Sequence, residues 1–201
     1  ERSTAKTYEK GIETIPSESV CYPGKMVHGH IMDLVNRDIK FIFYPSITHE
    51  RKEEEGADNH FNCPIVISYP EVIDNNIDIL RERDILYMKP FLPYDSEKRM
   101  TKRLSEELKG FNIGKKEIKE GVRKAYREQK AFSKDVQESG EKAIRQMRKE
   151  GIKGIVLAGR PYHIDPHINH GIPEMINSLG FAVLTEDSVS HLGKIKRPLR
   201  V

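Results

Sequence analysis

The apolar stretch Lys40-Phe41-Ile42-Phe43-Tyr44 predicts a short buried strand. Two later apolar runs predict further strands, one from Pro64 to Ser68 and one from Ile85 to Met88. Helical spacing predicts helices from Pro23 to about Arg37 and from Pro70 to about Arg83. A helix between successive strands requires parallel pairing with crossover connections. These elements together predict an α/β fold.

Outside this first set of strands the sequence changes character. Residues 1–19 are polar and predict an extended arm with a short strand near Ile12 to Ile15. Residues 95–150 are dense in Lys, Arg and Glu, and they predict helices from Ser96 to Lys109 and from Lys115 to Lys149. The heptads are too irregular to favour a coiled-coil arm, so we expect a helical connector.

A second α/β unit is predicted after the connector. Residues 154–159 predict a strand and a turn, residues 168–179 a helix, and residues 181–184 another strand. The expected domains are therefore residues 1–94 with both cysteines, the connector 95–150, and residues 151–201 as the start of a second, truncated unit. Both abrupt ends of the chain favour a piece of a larger protein.

Composition narrows the classes of function. The chain has 201 residues, a formal net charge of +3, 32% charged residues and no Trp. Charge of mixed sign does not favour a nucleic-acid partner, and no platform for base stacking is evident. The sequence contains neither an apolar run of about 20 residues nor a leader, so we expect a soluble, cytoplasmic protein.

Only two cysteines occur, and each is close to a proline. Cys21 is expected at or just before the N-cap of the helix that begins at Pro23, where free N–H groups and Lys25 stabilise a thiolate. Cys63 is expected at the mouth of the strand that begins at Pro64. Two thiols are fewer than the four ligands of a typical iron–sulfur cluster. The spacing alone does not decide whether the two thiols are reactive or metal-binding, or buried and structural.

A second candidate site follows the strand at residues 154–159. Arg160 in the turn can bind a phosphate or carboxylate, and a helix N-terminus favours an anion. His163, His167 and His170 would share one face of a helix, which resembles a metal site, although hydrogen bonding and packing also explain them. Glu186-Asp187-Ser188 follows the next strand, at a sheet edge where ligands bind, and helix capping by Asp187 or Ser188 is the alternative interpretation.

Several catalytic signatures are missing from the sequence. It contains no phosphate-binding loop of P-loop type, no dinucleotide-binding glycine fingerprint and no nucleophile elbow. The sequence therefore predicts neither nucleotide hydrolysis nor serine-hydrolase chemistry in this chain.

Four motifs resemble those of one protein family. They are Cys-x-Pro-x-Lys-x-x-His-Gly-His from Cys21, Asn-Cys-Pro with Ser-Tyr-Pro-Glu-Val from Asn62 to Val72, residues 157–173 around Arg160, and Leu-Thr-Glu-Asp-Ser from Leu184. Together they resemble the large proteins related to the activator and dehydratase components of the (R)-2-hydroxyacyl-CoA dehydratase system, such as the 2-hydroxyglutaryl-CoA dehydratase activator. The resemblance covers residues 17–190.

This resemblance implies paired Rossmann-like domains that hold an oxygen-sensitive [4Fe-4S] cluster between them by cysteines. It implies Cys21 and Cys63 as cluster ligands, and it places Arg160, Tyr162 and His163 in the lining of an interdomain cleft. It also implies low-potential electron transfer and dehydratase or activase partners. The ATP-hydrolysing activase domain of that system is not visible in this chain, so no ATPase activity is expected here.

Three hypotheses follow. The chain is a redox module that houses part of an iron–sulfur site, or a non-catalytic module that binds acyl-CoA or another anion at Arg160, or a structural module that docks a partner through residues 95–150.

Overall fold

The computed structural model describes residues 3–53, 56–57 and 59–193. The described chain forms two compact units, residues 3–124 and residues 125–193, and the division falls inside the longest helix. The expected domain boundaries at residues 94 and 150 stay a prediction. Within the described residues, no helix is long and apolar enough to cross a membrane.

The elements of the first unit are, in chain order, α1 (Ala5–Gly11), α2 (Tyr22–Asn36), β1 (Phe41–Phe43), α3 (Pro64–Asn76), α4 (Ile79–Glu82), β2 (Leu86–Met88), α5 (Glu97–Glu107) and the beginning of α6 (Lys115–Glu150). The second unit contains the rest of α6, then β3 (Gly154–Leu157), α7 (Ile172–Ser178), β4 (Ala182–Thr185) and α8 (Glu186–Val189). The long helices predicted in the Lys-, Arg- and Glu-rich segment are confirmed as α5 and α6.

Parallel pairing is confirmed in both units. Strand β1 pairs with β2 with Ile42 opposite Tyr87, and β3 pairs with β4 with Val156 opposite Leu184. Each described sheet has two strands, and helices lie between the paired strands in the chain. The fold is therefore mixed α/β with short parallel strands, and its Rossmann-like character stays a prediction.

The predicted strand from Pro64 to Ser68 is wrong, because these residues form the first turns of helix α3. Pro64 suits the beginning of a helix, where a missing N–H costs nothing. Tyr69 and Ile73 lie one helical turn apart and are 2% and 0% exposed, so the helix has a fully buried face. This packing outweighs the strand preference of the β-branched residues at its start.

The predicted extended arm at residues 1–19 is also wrong over its described part. Helix α1 begins after Thr4, whose side-chain oxygen accepts a hydrogen bond from the N–H of Thr7, while the Thr7 side chain accepts one from the N–H of Thr4. A short 3-10 helix, Ile12–Thr14, replaces the strand expected there. These reciprocal caps satisfy donors that an extended arm would leave to water.

The core of the first unit lies between α2, α3 and the sheet. Its buried residues are apolar or aromatic and come from α2, β1, α3, α4 and the connecting residues beside them: Ile31, Val35, Ile42, Tyr69, Ile73, Ile77, Leu80 and Ile85. Burial of such side chains stabilises a fold by roughly 1.5–3 kcal/mol each. This core fixes the orientation of the two helices that follow the cysteines.

In the second unit the helix predicted from Ile168 begins later, at Ile172. His170 and Gly171 both have positive φ angles, 56° and 72°, which interrupt a right-handed helix. Ile176 of α7 and Leu184 of β4 are buried, as an amphipathic helix over a parallel pair requires.

Candidate functional site

Cys21 and Cys63 occupy equivalent positions in the first unit. Cys21 is the N-cap of α2 with φ −60° and ψ 149°, and Cys63 is the N-cap of α3 with φ −58° and ψ 139°. A residue that precedes proline is restricted to this extended region, which explains the conformation of Cys63 before Pro64. The expected helix N-cap at Cys21 is confirmed, whereas Cys63 precedes a helix and not a strand.

The first turns of these two helices lie against each other. A Cβ built on Gly24, in the first turn of α2, would lie 3.2 Å from the Tyr69 hydroxyl and 3.3 Å from Cγ2 of Ile65 in α3. Both cysteines therefore stand at the beginnings of helices that touch within one turn of each thiol. Each helix end directs partial positive charge and free N–H groups toward its N-cap, which favours an anionic ligand there.

The two thiols differ in exposure. Cys21 is exposed and Cys63 is half-buried, and neither forms a disulfide. The interpretation of the pair as two buried structural thiols is therefore wrong for Cys21. An exposed thiol at a helix N-terminus is accessible to a metal, an electrophile or a partner.

A buried polar pair lies behind Cys21. His28, two turns along α2, is 0% exposed, and its ring meets that of Tyr69 edge-on, with centroids 5.6 Å apart. Burial lowers the pKa of His28, which favours the neutral imidazole. Burial raises the pKa of Tyr69, and electrostatic interaction with Cys21 raises it further. Two buried polar side chains, His28 and Tyr69, are thus in ring contact, and His28 lies on the helix that Cys21 caps.

The second group of predicted site residues lies in the other unit. Arg160, Tyr162 and His163 are all exposed. The Arg160 backbone N–H donates to Nδ1 of His163 over 2.8 Å, and the rings of Tyr162 and His163 pack edge-on with centroids 4.6 Å apart. The turn is therefore ordered by His163, while the Arg160 guanidinium has no hydrogen-bonding partner among the residues that the structure describes. Whether these three residues line a cleft stays a prediction.

Two other interpretations in that unit are wrong. His163, His167 and His170 do not share a helical face, because α7 begins only at Ile172. Asp187 and Ser188 do not cap a helix, because Thr185 is the N-cap of α8. Ser188 is buried and donates to the carbonyl of Thr185 over 2.7 Å, so its role is structural.

The comparison with known families agrees with the cysteine-bearing motifs. The family described as "CoA enzyme activase uncharacterised domain (DUF2229)" matches residues 1–189. The chain belongs to this family. The match confirms the resemblance to proteins related to the 2-hydroxyacyl-CoA dehydratase activator. No curated protein and no solved structure matches the chain.

The [4Fe-4S] cluster implied for this CoA enzyme activase domain can be tested against its donor set. Thiolates at helix N-termini have the chemistry that such a cluster requires. Over the described ranges, however, no three residues of the Cys, His, Asp and Glu types are grouped to hold a metal ion. The thiols of Cys21 and Cys63 are therefore ligands of the type that the cluster needs. They supply two of the about four ligands that such a cluster takes.

No role was assigned to His28 and Tyr69 from the sequence alone. Both lie inside the quoted motifs, at His28-Gly29-His30 and Ser68-Tyr69-Pro70. The spacing of four residues between Tyr69 and Ile73 could have indicated that both lie on one face of a helix. It was missed because the residues before Tyr69 were interpreted as a strand.

Proposed function

We propose that this domain supplies Cys21 and Cys63 as two thiolate ligands of an iron–sulfur cluster in a CoA enzyme activase protein. The remaining ligands come from another segment or from a partner, such as a dehydratase or activase subunit. The observation that carries the proposal is the contact between the first turns of α2 and α3, each of which begins at a cysteine.

The electrostatics of the two helix ends supports this assignment. A cluster with thiolate ligands carries net negative charge, and two helix N-termini offer partial positive charge and free N–H groups to it. Hydrogen bonds to the sulfurs and burial set the reduction potential of such a cluster. The difference in exposure makes Cys21 the ligand nearer solvent and Cys63 the ligand nearer the core.

When bound, the cluster would accept and donate single electrons at low potential. The residues of this chain would anchor it, orient it through two rigid helices and shield one side of it. Membership of the activase family fits electron delivery to a dehydratase, which we include in the proposal.

Anaerobic reconstitution of the intact protein with iron and sulfide tests the assignment. We expect the wild type to retain iron and sulfide and to give an electron paramagnetic resonance signal after reduction. The variants Cys21→Ala and Cys63→Ala should each lose most of the iron. Wild-type iron content and an unchanged signal in both variants would rule out these residues as ligands.

A matched control distinguishes the effect of the position of a thiol on iron binding from the effect of the number of thiols. Ser139→Cys adds an exposed thiol on α6 and, combined with Cys21→Ala, restores the number of cysteines. We expect this double variant to remain as poor in iron as Cys21→Ala alone. Full recovery of iron would show that the N-cap position is irrelevant.

The exposed guanidinium of Arg160 favours a second candidate function, the binding of acyl-CoA or another anion. A guanidinium without a partner in the described residues is available for two parallel hydrogen bonds to a phosphate. Calorimetry with CoA esters should give binding heat for the wild type and much less for Arg160→Ala. Equal heats in the two proteins would eliminate this role.

A further inference from the structure

The hydrogen bonds of His28 determine which of its ring nitrogens carries the proton. The Thr14 hydroxyl donates its only hydrogen to the carbonyl of Gly11 over 2.8 Å, and its oxygen lies 2.9 Å from Nδ1 of His28. Thr14 is therefore the acceptor in the second contact, and Nδ1–H is the donor. In the neutral ring this leaves Nε2 of His28 as a lone-pair acceptor.

That acceptor is buried and unpaired, and the His28 ring contacts the ring of Tyr69, whose hydroxyl is a complementary donor. Nε2 of His28 and the hydroxyl of Tyr69 are the buried side-chain polar atoms that lack a partner within the described residues. Their residues are 0% and 2% exposed, and their rings are in edge-on contact. Nε2 of His28 needs a hydrogen-bond donor, and the Tyr69 hydroxyl can donate a hydrogen bond. The two buried atoms are therefore complementary in hydrogen bonding.

We propose that Nε2 of His28 and the hydroxyl of Tyr69 form a two-point internal site for one neutral ligand of the size of water. The ligand must donate a hydrogen bond to Nε2 and accept one from the hydroxyl, and water does both. A charged ligand would lose its hydration among neutral groups without compensation, so the site selects a neutral one.

The position of this site gives it a structural consequence. His28 belongs to α2 and Tyr69 to α3, the two helices that begin at the cysteines. A water that bridges His28 and Tyr69 would link α2 to α3 one turn of α2 after their contact at Gly24. The proposal does not depend on a cluster, because it concerns only the helices and would hold if the cysteines bound no metal.

Nitrogen-15 NMR of the intact protein tests the tautomer, and water–protein Overhauser spectroscopy tests the ligand. We expect His28 protonated at Nδ1 and bare at Nε2, with a long-lived water in contact with both His28 and Tyr69. Protonation at Nε2 would overturn the proposal. A direct hydrogen bond from Tyr69 to Nε2, with no bound water, would overturn it equally.

Two variants keep the test sharp, with Tyr8→Phe as a matched control. Tyr69→Phe removes the donor but keeps the ring, and it should abolish the water signal, whereas Tyr8→Phe, in a ring contact with Tyr22, should not. Thr14→Val removes the acceptor for Nδ1–H and should move the proton to Nε2. A water signal that survives Tyr69→Phe, or a tautomer indifferent to Thr14→Val, would contradict the assignment.

Discussion

Gly11 and Gly29 lie in backbone contact where α1 crosses α2. A Cβ built on Gly11 would lie 2.2 Å from the backbone nitrogen of Gly29, closer than side chains approach in folded proteins. The two helices therefore pack through glycine backbones, and this contact sets α1 against the helix that begins at Cys21.

Replacing Gly29 by alanine should destabilise the protein. The new Cβ would lie 1.8 Å from the carbonyl oxygen of Thr7, so the backbone of α1 must move away. Overpacking of this kind costs roughly 1–3 kcal/mol. Urea denaturation should show a lower midpoint for Gly29→Ala, and a free energy of unfolding equal to that of the wild type would contradict the close contact.

Helix α6 offers a pair of glycines with opposite expected effects. A Cβ on Gly140 would lie 2.1 Å from the carbonyl oxygen of Ser188, whereas nothing lies within 4 Å of one on Gly121. Gly140→Ala should therefore destabilise the protein, and Gly121→Ala should stabilise it by about 0.5–1 kcal/mol through helix propensity.

The two substitutions are chemically identical and lie in the same helix, so each is the control for the other. Thermal unfolding followed by circular dichroism measures both. Shifts of the same sign would contradict the difference in packing between the two positions.

The thiols should react at different rates in the folded protein. Cys21 is exposed and Cys63 is half-buried, although both are helix N-caps with similar backbone geometry. Iodoacetamide should label Cys21 first, as peptide mass spectrometry after timed quenching can show. In denaturant the two rates should converge, and faster labelling of Cys63 in the native protein would contradict the structure.

Stability should fall at high pH because of buried tyrosines. Burial, and then Tyr69, raise the pKa of Tyr44 from 10.0 to about 12. The folded protein holds this proton more tightly than the unfolded chain, so the contribution is complete below pH 10.0 and is lost as the pH rises through about 12. A shift of this size corresponds to roughly 3 kcal/mol.

Unfolding free energies measured across this pH range check the effect. Tyr44→Phe removes the ionisable group and should flatten the decline relative to the wild type. An equally steep decline in the variant would show that Tyr44 does not contribute.

The sequence predicted some elements well for a clear physical reason. The apolar runs around Ile42 and Tyr87 form paired strands, and the helices between them require the parallel pairing. The expected burial of these runs is wrong for Phe41, Phe43 and Leu86, which are exposed, while Ile42 is buried. Cys21 was placed at a helix N-cap because Pro23 suits the first turn of a helix. These signals are local and do not depend on what packs against them.

The beginning of helix α3 was wrongly predicted as a strand, because its local sequence favours a strand and its tertiary packing favours a helix. Ile65, Val66 and Ile67 are β-branched and favour a strand, and Pro70 lies inside the helix without an N–H to donate. The buried face formed by Tyr69 and Ile73 decides the outcome. A hydrogen bond from the Ser46 hydroxyl to the carbonyl of Ile67, 2.6 Å long, further supports this region of the helix.

The sequence by itself determined the mixed α/β class, the parallel pairing and the two cysteine-bearing segments, because periodicity and proline positions act over a few residues. Only the tertiary structure decided that Cys63 begins a helix, that this helix touches α2 at Gly24, and that His28 and Tyr69 meet as unpaired buried polar atoms. Such contacts join residues far apart in the chain. These contacts depend on which distant side chains are buried together. The periodicity of a few neighbouring residues does not determine that.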